Sequence, residues 1–294
     1  MWFIIWRRNF GRTLFQLLIV AFLISGIMTA MRGGSIPSSS QAKSGFITLI
    51  IDDFGNFGDG TLAILKLGIP ITAAVMPFLE HSRSDADLAH QYGQEVILHL
   101  PMEAKTGQLS WLGPRPIVTK LSTEQIQAQV REGLAQIPWA VGINNHMGSK
   151  AMEDSRVVRA VLEVVREKNL IFVDSRTTER SAAPQINREL NLPYLSRNVF
   201  LELTKDKASI VKQLLKLGTI ALEKGYAIGI GHVGHDGGSV TAAAIRDTYP
   251  QLQARGIRFI PLLQMRAVVL EYRSHGQLTG TERQPKAPAP VTAP

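Results

Sequence analysis

Short apolar runs alternate with amphipathic segments through the body of the chain. The runs predict strands at 46–52, 71–76, 95–100, 139–144, 170–174, 198–203, 225–231 and 257–260. The segments between most of them have helical periodicity. In one of them Ser122 and Gln125 are spaced as a capping box, and apolar residues from Ile126 to Ile137 fall on one stripe. The pattern indicates repeated β-α units.

Seven or eight consecutive β-α units predict an α/β fold with a mainly parallel sheet, either open or closed into a barrel. The number of strands and the length of residues 46–272 favour one (β/α) barrel domain with seven or eight units. In such barrels the reactive groups gather at the C-terminal ends of the strands, where the βα loops converge. Polar residues that follow strands are therefore the first candidates for function.

The N-terminal segment predicts a membrane anchor. A charge-free, mostly apolar stretch of 19 residues runs from Thr13 to Met31, behind three arginines. As a helix it would be about 28 Å long, close to the thickness of the bilayer hydrocarbon. We expect residues 1–31 to form an uncleaved signal anchor, with a cleaved signal peptide as the alternative. The positive-inside rule then predicts export to the periplasm or extracytoplasmic face, anchored in the inner membrane.

Composition identifies the flanks and narrows the partners. Residues 32–45 are rich in Gly, Ser and Pro and predict a flexible tether, and the Pro- and Ala-rich residues 273–294 predict a disordered tail. The formal charge is +8, but residues 46–272 carry 24 basic and 23 acidic side chains. Nucleic-acid binding needs a clustered basic surface, so we do not expect a nucleic acid as partner. With no cysteine, any metal must be held by nitrogen and oxygen ligands.

Ionisable side chains follow five of the predicted strands. They are Asp52 with Asp53, His99, His146, Asp174, and His232 with His235. Each alone also fits an ordinary role: a hydrogen-bonded histidine, a turn residue or a helix cap. Because the same layout recurs at five strand ends, the set predicts an active site. His81, His90 and His275 fall in a loop, a helical pattern and the tail, and are taken as surface residues.

Imidazoles with a carboxylate and no thiolate are typical of a site for Zn²⁺ or another divalent first-row metal. One aspartate of the adjacent pair would ligate the ion, and its neighbour would act as general base. A histidine across the rim would protonate the leaving group. This set predicts metal-assisted hydrolysis of an acyl bond.

Five short motifs resemble the divergent polysaccharide deacetylase family, a branch of the NodB-type carbohydrate esterases. They are LIIDDFG (49–55), HLPME (99–103), NNHMGS (144–149), FVDSRTT (172–178) and GIGH (229–232). The resemblance covers roughly residues 45–272. It implies a distorted (β/α) barrel and metal-dependent removal of N- or O-acetyl groups from a polysaccharide. It also implies that Asp52 is the base, Asp53 a metal ligand and His232 the general acid.

The chain departs from the family's His-x-x-x-His ligand pair. Here His99 is followed by Glu103 in place of the second histidine. We expect His146 to supply the missing imidazole, so that Asp53, His99 and His146 hold the metal. Glu103 is then a fourth ligand, a neighbour of the ligands or a solvated loop residue.

Three further features concern the surroundings of this site. The family's Arg-x-Pro-Tyr motif is missing, and we expect Arg176, beside Asp174, to orient Asp52 instead. Trp111 is predicted either to stack on a sugar ring or to plug the barrel mouth. The glycine-rich residues 232–239 either supply N–H groups to an oxyanion, or move, or form an ordinary turn.

The sequence therefore predicts an envelope-anchored, metal-dependent hydrolase, with Zn²⁺ as the expected ion, that deacetylates a cell-envelope polysaccharide. The alternative is a glycan-binding or scaffolding protein whose catalysis has lapsed, suggested by the missing second histidine.

Overall fold

Parallel strands and the helices that follow them fill residues 44–278, the part of the chain that the computed structural model describes. The strands in that range are β1 (Gly45–Phe54), β2 (Thr72–Val75), β3 (Glu95–Met102), β4 (Ala140–Met147), β5 (Ile171–Asp174), β6 (Leu195–Ser196), β7 (Val199–Phe200), β8 (Tyr226–His232) and β9 (Ile257–Phe259). The α-helices are α1 (Thr61–Leu65), α2 (Ser82–Gln91), α3 (Thr123–Gln136), α4 (Ser155–Glu167), α5 (Ala183–Glu189), α6 (Lys207–Lys224), α7 (Ser239–Ala254) and α8 (Leu262–Leu278). Short 3₁₀ helices at Leu109–Leu112 and Ala151–Glu153 lie in two of the connections.

The strands form one parallel sheet in the order β6-β5-β4-β3-β2-β1-β8-β7, and β9 pairs with the first residues of β1. Among the described strands no ladder joins β6 to β7. Instead, β6 pairs with β5 and β7 pairs with β8, so residues 195–200 pass from one edge of the sheet to the other. The result is an incompletely closed, distorted barrel.

Contacts across the sheet show how strongly it curves. Strands β1 and β4 are separated by two others, which would put them about 14 Å apart in a flat sheet. Yet Nδ2 of Asn144 on β4 donates a 2.8 Å hydrogen bond to Oδ1 of Asp52 on β1. The sheet therefore has a concave face on which side chains from distant strands meet.

The two faces of the sheet have separate cores. On β1, Ile47, Leu49 and Ile51 belong to the larger core, which includes apolar residues of α4 and α6. Phe46 and Ile50 point to the concave face, where a smaller core includes Leu262, Met265, Val268 and Val269 of α8. This side-chain alternation continues to Asp52, so the concave face becomes polar at the C-terminal ends of the strands.

The sequence-based elements are confirmed with local changes. All eight predicted strands are present, and Ser122 and Gln125 form the predicted capping box. The strand predicted at 198–203 is only two residues long, and the equally short β6 was not predicted. Helix α8 continues to Leu278, beyond the expected domain boundary at residue 272.

The remaining predictions concern the ends of the chain. The anchor at 1–31, the tether up to residue 43 and the tail beyond 278 lie outside the described residues. Within 44–278, no helix has the length and apolar character needed to cross a membrane.

Candidate functional site

The first strand delivers two adjacent carboxylates to one place because its end is irregular. In a regular strand neighbouring side chains point to opposite faces. Here the pairing of β1 with β2 shifts register between Ile51 and Phe54, and Asp53 has a left-handed φ of 68°. Aspartate tolerates this conformation better than most residues. The bulge lets both Asp52 and Asp53 approach the ends of β3 and β4.

Three side chains from separate strands converge on one point. Oδ1 of Asp53 lies 3.3 Å from Nε2 of His99 and 3.2 Å from Nδ1 of His146. The two imidazole nitrogens are 3.0 Å apart. The structure thus brings together the three residues predicted as ligands, with one ligand atom from each.

The outer hydrogen bonds of the two imidazoles fix their tautomers. Nδ1 of His99 is 2.7 Å from Oδ1 of Asn144, which only accepts, so this nitrogen carries the proton. Nε2 of His146 is 2.9 Å from the carbonyl oxygen of Trp111 and donates to it in the same way. In the neutral imidazoles, Nε2 of His99 and Nδ1 of His146 are therefore unprotonated and face Asp53.

This arrangement fits a divalent metal. The carboxylate oxygen of Asp53 and the two facing ring nitrogens each present a lone pair, and no proton lies between them. Three lone pairs this close repel one another unless a cation lies among them. Oδ1 of Asp53 is buried and accepts no hydrogen bond from residues 44–278. Ligands about 2.1 Å from a metal are about 3.4 Å apart in a tetrahedral site and about 3.0 Å apart in an octahedral one. The observed spacings of 3.0 to 3.3 Å fall in this range.

Electrostatics differ between the two aspartates. Burial would raise the pKa of Asp53, but the close approach of the His146 and His99 rings holds this pKa well below its usual value. Asp52 is 2% exposed, and burial raises its pKa although His99 and His232 oppose the shift. Burial would lower the pKa of His99, but Asp52 and Asp53 raise it above its usual value. The two carboxyls are thus suited to different roles, a ligand and a proton acceptor.

Strand β8 ends at His232, which lies beside Asp52 because the two positions pair in the ladder between β1 and β8. Nδ1 of His232 donates a 2.9 Å hydrogen bond to Oε2 of Glu202, leaving Nε2 as the other ring nitrogen. Thr241 and the backbone N–H of His232 both donate to Oε1 of the same glutamate. Burial would lower the pKa of His232, but Glu202, Asp52 and Asp53 raise it to about 9. A histidine with this pKa is protonated at neutral pH.

Sequence reasoning missed Glu202. This residue follows the short strand β7, and its side chain is only 2% exposed. It is the acidic residue at the end of the strand predicted at 198–203, so the rule used for the other five strands would have identified it.

Two of the predicted supporting residues lie elsewhere. Glu103 accepts hydrogen bonds from the N–H and hydroxyl of Thr119 and forms an ion pair with Lys150, so it joins loops and is removed from the candidate ligands. Asp174 is buried, but it accepts hydrogen bonds from Ser181, Tyr194 and the N–H of Arg176. Phe172, two residues earlier in β5, belongs to the helix-facing core. Asp174 is in the same alternating row, so its side chain points away from the concave face.

The prediction that Arg176 orients Asp52 is wrong, because the guanidinium of Arg176 pairs with Glu179. The charge of Asp52 acts instead on Arg197, which the sequence did not single out, and favours its charged form. Trp111 is 58% exposed, so it does not plug the mouth. In the glycine-rich loop, the N–H groups of Gly234 and Gly238 donate to Asp59 and His232 carbonyl oxygens within the fold.

Comparisons with known proteins match much of this chain. The model of the divergent polysaccharide deacetylase family matches residues 49–265. The uncharacterized protein YibQ of Escherichia coli strain K12 is 32% identical over 194 residues, which span 66% of this chain and 60% of that protein's length.

Two solved structures share the fold. One is uncharacterized protein ATU2773 from Agrobacterium tumefaciens C58, with a TM-score of 0.69 and 20% identity, covering 76% of this chain and 89% of that one. The other is the Bc1960 peptidoglycan N-acetylglucosamine deacetylase, with a TM-score of 0.50 and 14% identity, covering 77% and 90%.

Proposed function

Because this chain belongs to the divergent polysaccharide deacetylase family, we propose that it is a metal-dependent hydrolase that removes N- or O-acetyl groups from a cell-envelope polysaccharide. The observation that carries the proposal is the convergence of three possible ligand atoms beside a separate buried carboxylate, Asp52, and the neighbouring His232. A site that only bound sugars would have no need of this combination of groups.

Asp53, His99 and His146 would hold the ion, with Zn²⁺ as the expected metal. When bound, a divalent cation supplies Lewis-acid catalysis and lowers the pKa of water. Asn144 supports the proposed metal ligand and the proposed base together, because its Oδ1 orients His99 and its Nδ2 orients Asp52. Such second-layer contacts maintain both the tautomer and the direction of a ligand.

Asp52 and His232 divide the proton transfers. As water attacks the acyl carbon, Asp52 accepts a proton from it, and the raised pKa makes this carboxylate a stronger base than an exposed one. The bond between the acyl carbon and the sugar nitrogen or oxygen then breaks. Nε2 of protonated His232 donates its proton to that leaving atom, so acetate and the free amine or hydroxyl are the products.

The rim of the site suits a sugar chain. Trp111 is 58% exposed and Phe57 is 49% exposed, and both lie in loops that follow strands ending at the site. Exposed aromatic rings offer flat apolar surfaces of the kind on which sugar rings stack. The likeness to Bc1960, a peptidoglycan N-acetylglucosamine deacetylase, supports a glycan of the cell envelope. Export and anchoring by residues 1–31 belong to the same proposal.

The alternative of lapsed catalysis rested on the missing second histidine of the family motif. His146 brings an imidazole nitrogen within 3.2 Å of Asp53 and 3.0 Å of His99, which supports the hydrolase over this alternative.

The test is release of acetate from acetylated peptidoglycan and chitooligosaccharides by the purified protein supplied with Zn²⁺. We expect turnover that falls at least about a thousandfold in Asp52→Asn. Glu179→Gln removes one exposed carboxylate from a neighbouring loop and is the matched control, with turnover retained. If acetate is not released from any of these glycans, or if Asp52→Asn is as active as the wild type, the proposed reaction is wrong.

A further inference from the structure

Arg197 lies at the gap in the sheet, between β6, which pairs with β5, and β7, which pairs with β8. Its Nε donates a 2.7 Å hydrogen bond to the carbonyl oxygen of Ser175, and Nη2 donates a 3.0 Å bond to that of Arg176. The guanidinium lies 5.1 Å from the centre of the Phe200 ring, and that ring is 4.6 Å from the ring of His232. Arg197 therefore lies close to His232, at the border of the candidate site.

The charge of Arg197 has no direct counterion. Within residues 44–278 no carboxylate forms an ion pair with it, whereas nearby Arg176 and Arg180 pair with Glu179 and Glu153. Burial and the charge of Arg176 lower the pKa of Arg197, while the more distant carboxylates of Asp174, Asp52 and Glu179 act to raise it. A guanidinium remains protonated at neutral pH. Its direct partners are backbone carbonyls, so a carboxylate at hydrogen-bond distance would compensate this partly buried charge more fully than the distant ones do.

Ser175 provides a second, independent observation. It is 3% exposed, and its hydroxyl oxygen is buried without a hydrogen-bond partner among the described residues. Buried hydroxyls are nearly always hydrogen bonded, so an unpaired one calls for a partner. Ser175 directly follows β5 (Ile171–Asp174), and its own carbonyl binds Arg197.

We propose that Arg197 and Ser175 form a subsite for a carboxylate carried by the glycan next to the acyl group that is removed. A guanidinium binds a carboxylate through paired, charge-assisted hydrogen bonds, and the serine hydroxyl adds a third donor. The inference rests on the proposed function and makes its substrate an acidic rather than a neutral glycan. The carboxylate can belong to a uronic acid or to the lactyl group of muramic acid.

A different role for Arg197 would be to hold Asp52, the proposed base, through its longer-range charge. That role predicts an equal loss of kcat for neutral and acidic substrates. The subsite predicts instead a loss of affinity that is confined to ligands with a carboxylate.

The test is calorimetric titration of the full-length protein at low salt with four ligands, in EDTA so that no ligand is deacetylated during the titration. Chitotetraose is neutral, and a hyaluronan tetrasaccharide carries uronic acid carboxylates. Chitobiose is neutral, and the N-acetylglucosamine–N-acetylmuramic acid disaccharide carries a lactyl carboxylate. We expect at least one acidic ligand to bind about ten times more tightly than its neutral counterpart, and the preferred one identifies the source of the carboxylate.

Arg197→Gln should abolish this preference, and Ser175→Ala should reduce it about threefold. Since the Ser175 hydroxyl has no partner in the fold, Ser175→Ala keeps the test valid if Arg197→Gln unfolds. Arg180→Gln, which changes the net charge equally at a 75% exposed side chain, is the control and should retain the preference. Thermal unfolding of each variant monitors the fold.

The proposal is overturned if acidic and neutral ligands bind equally to the wild type. It is also overturned if a folded Arg197→Gln keeps the preference or weakens all ligands by the same factor. Because binding is measured without turnover, a preference for acidic ligands without acetate release would leave this subsite standing and reject the hydrolase. Acetate release without the preference would do the reverse.

Discussion

Replacing Glu202 by glutamine should change the protonation of His232. Glu202 lies 2.9 Å from Nδ1 of His232, and its side chain is almost fully buried. The pKa of His232 rises from an ordinary 6.5 to about 9, even though burial opposes the rise. This shift corresponds to about 3 kcal/mol in favour of the charged imidazole, shared among Glu202, Asp52 and Asp53.

Glutamine keeps an oxygen that accepts the Nδ1 proton but removes the charge. An opposite charge at this distance typically changes a pKa by about one unit or more, so the pKa of His232 should fall by at least about one unit. Because His232 donates a proton in the proposed reaction, the alkaline limb of the activity profile should move down with it. The folded-state pKa is raised, so the stability from this interaction is complete below about pH 6.5 and is lost as the pH rises through about 9.

The assay is an NMR titration of the His232 ring protons in the wild type, in Glu202→Gln and in the control Glu179→Gln, followed by the pH profile of acetate release. The wild type and control should share a midpoint near 9. An unchanged midpoint in Glu202→Gln would show that Glu202 does not set the protonation of His232 and would refute this reasoning.

Three further predictions concern other parts of the molecule. Asn144→Ala should weaken Zn²⁺ affinity about 10- to 100-fold in a competition titration, because His99 loses the acceptor that orients it. Trp111→Ala should weaken chitotetraose binding about three- to tenfold in calorimetry while Zn²⁺ content stays the same, because His146 contacts only the backbone carbonyl of Trp111. Glu95→Gln should stabilise the fold at pH 8 but not at pH 4, by up to about 3 kcal/mol in urea unfolding. Burial raises the pKa of Glu95 to about 7, so the wild type loses stability as the pH rises from about 4.5 to 7.

Much of this fold could be predicted because its strands are short, apolar and separated by regular helices. The run at 225–231 illustrates this, since it emerges as β8 at Tyr226–His232. Incomplete closure could not be predicted in the same way. It depends on residues 195–200, where a two-residue strand, a bend and a second two-residue strand leave too little periodicity to detect.

The convergence of Asp53, His99 and His146 could be predicted from residue type and position, because parallel strands bring their C-terminal ends to one edge. The supporting residues could not, since their roles depend on which way a side chain points. Asp174 lies one residue off the concave row of β5, and Arg176 meets Glu179 in its own loop. Arg197 reaches the site only because the chain crosses the gap in the sheet, which local sequence does not encode.

The central claim is that Asp53, His99 and His146 hold one divalent cation. Its most direct test is elemental analysis of the full-length protein purified without added metal, compared with Asp53→Asn, His146→Ala and the control Glu103→Gln. We predict about one divalent ion per chain in the wild type and in Glu103→Gln, and almost none in the other two. Wild-type protein without a divalent ion after incubation with Zn²⁺, or equal metal content in all four proteins, would contradict the account.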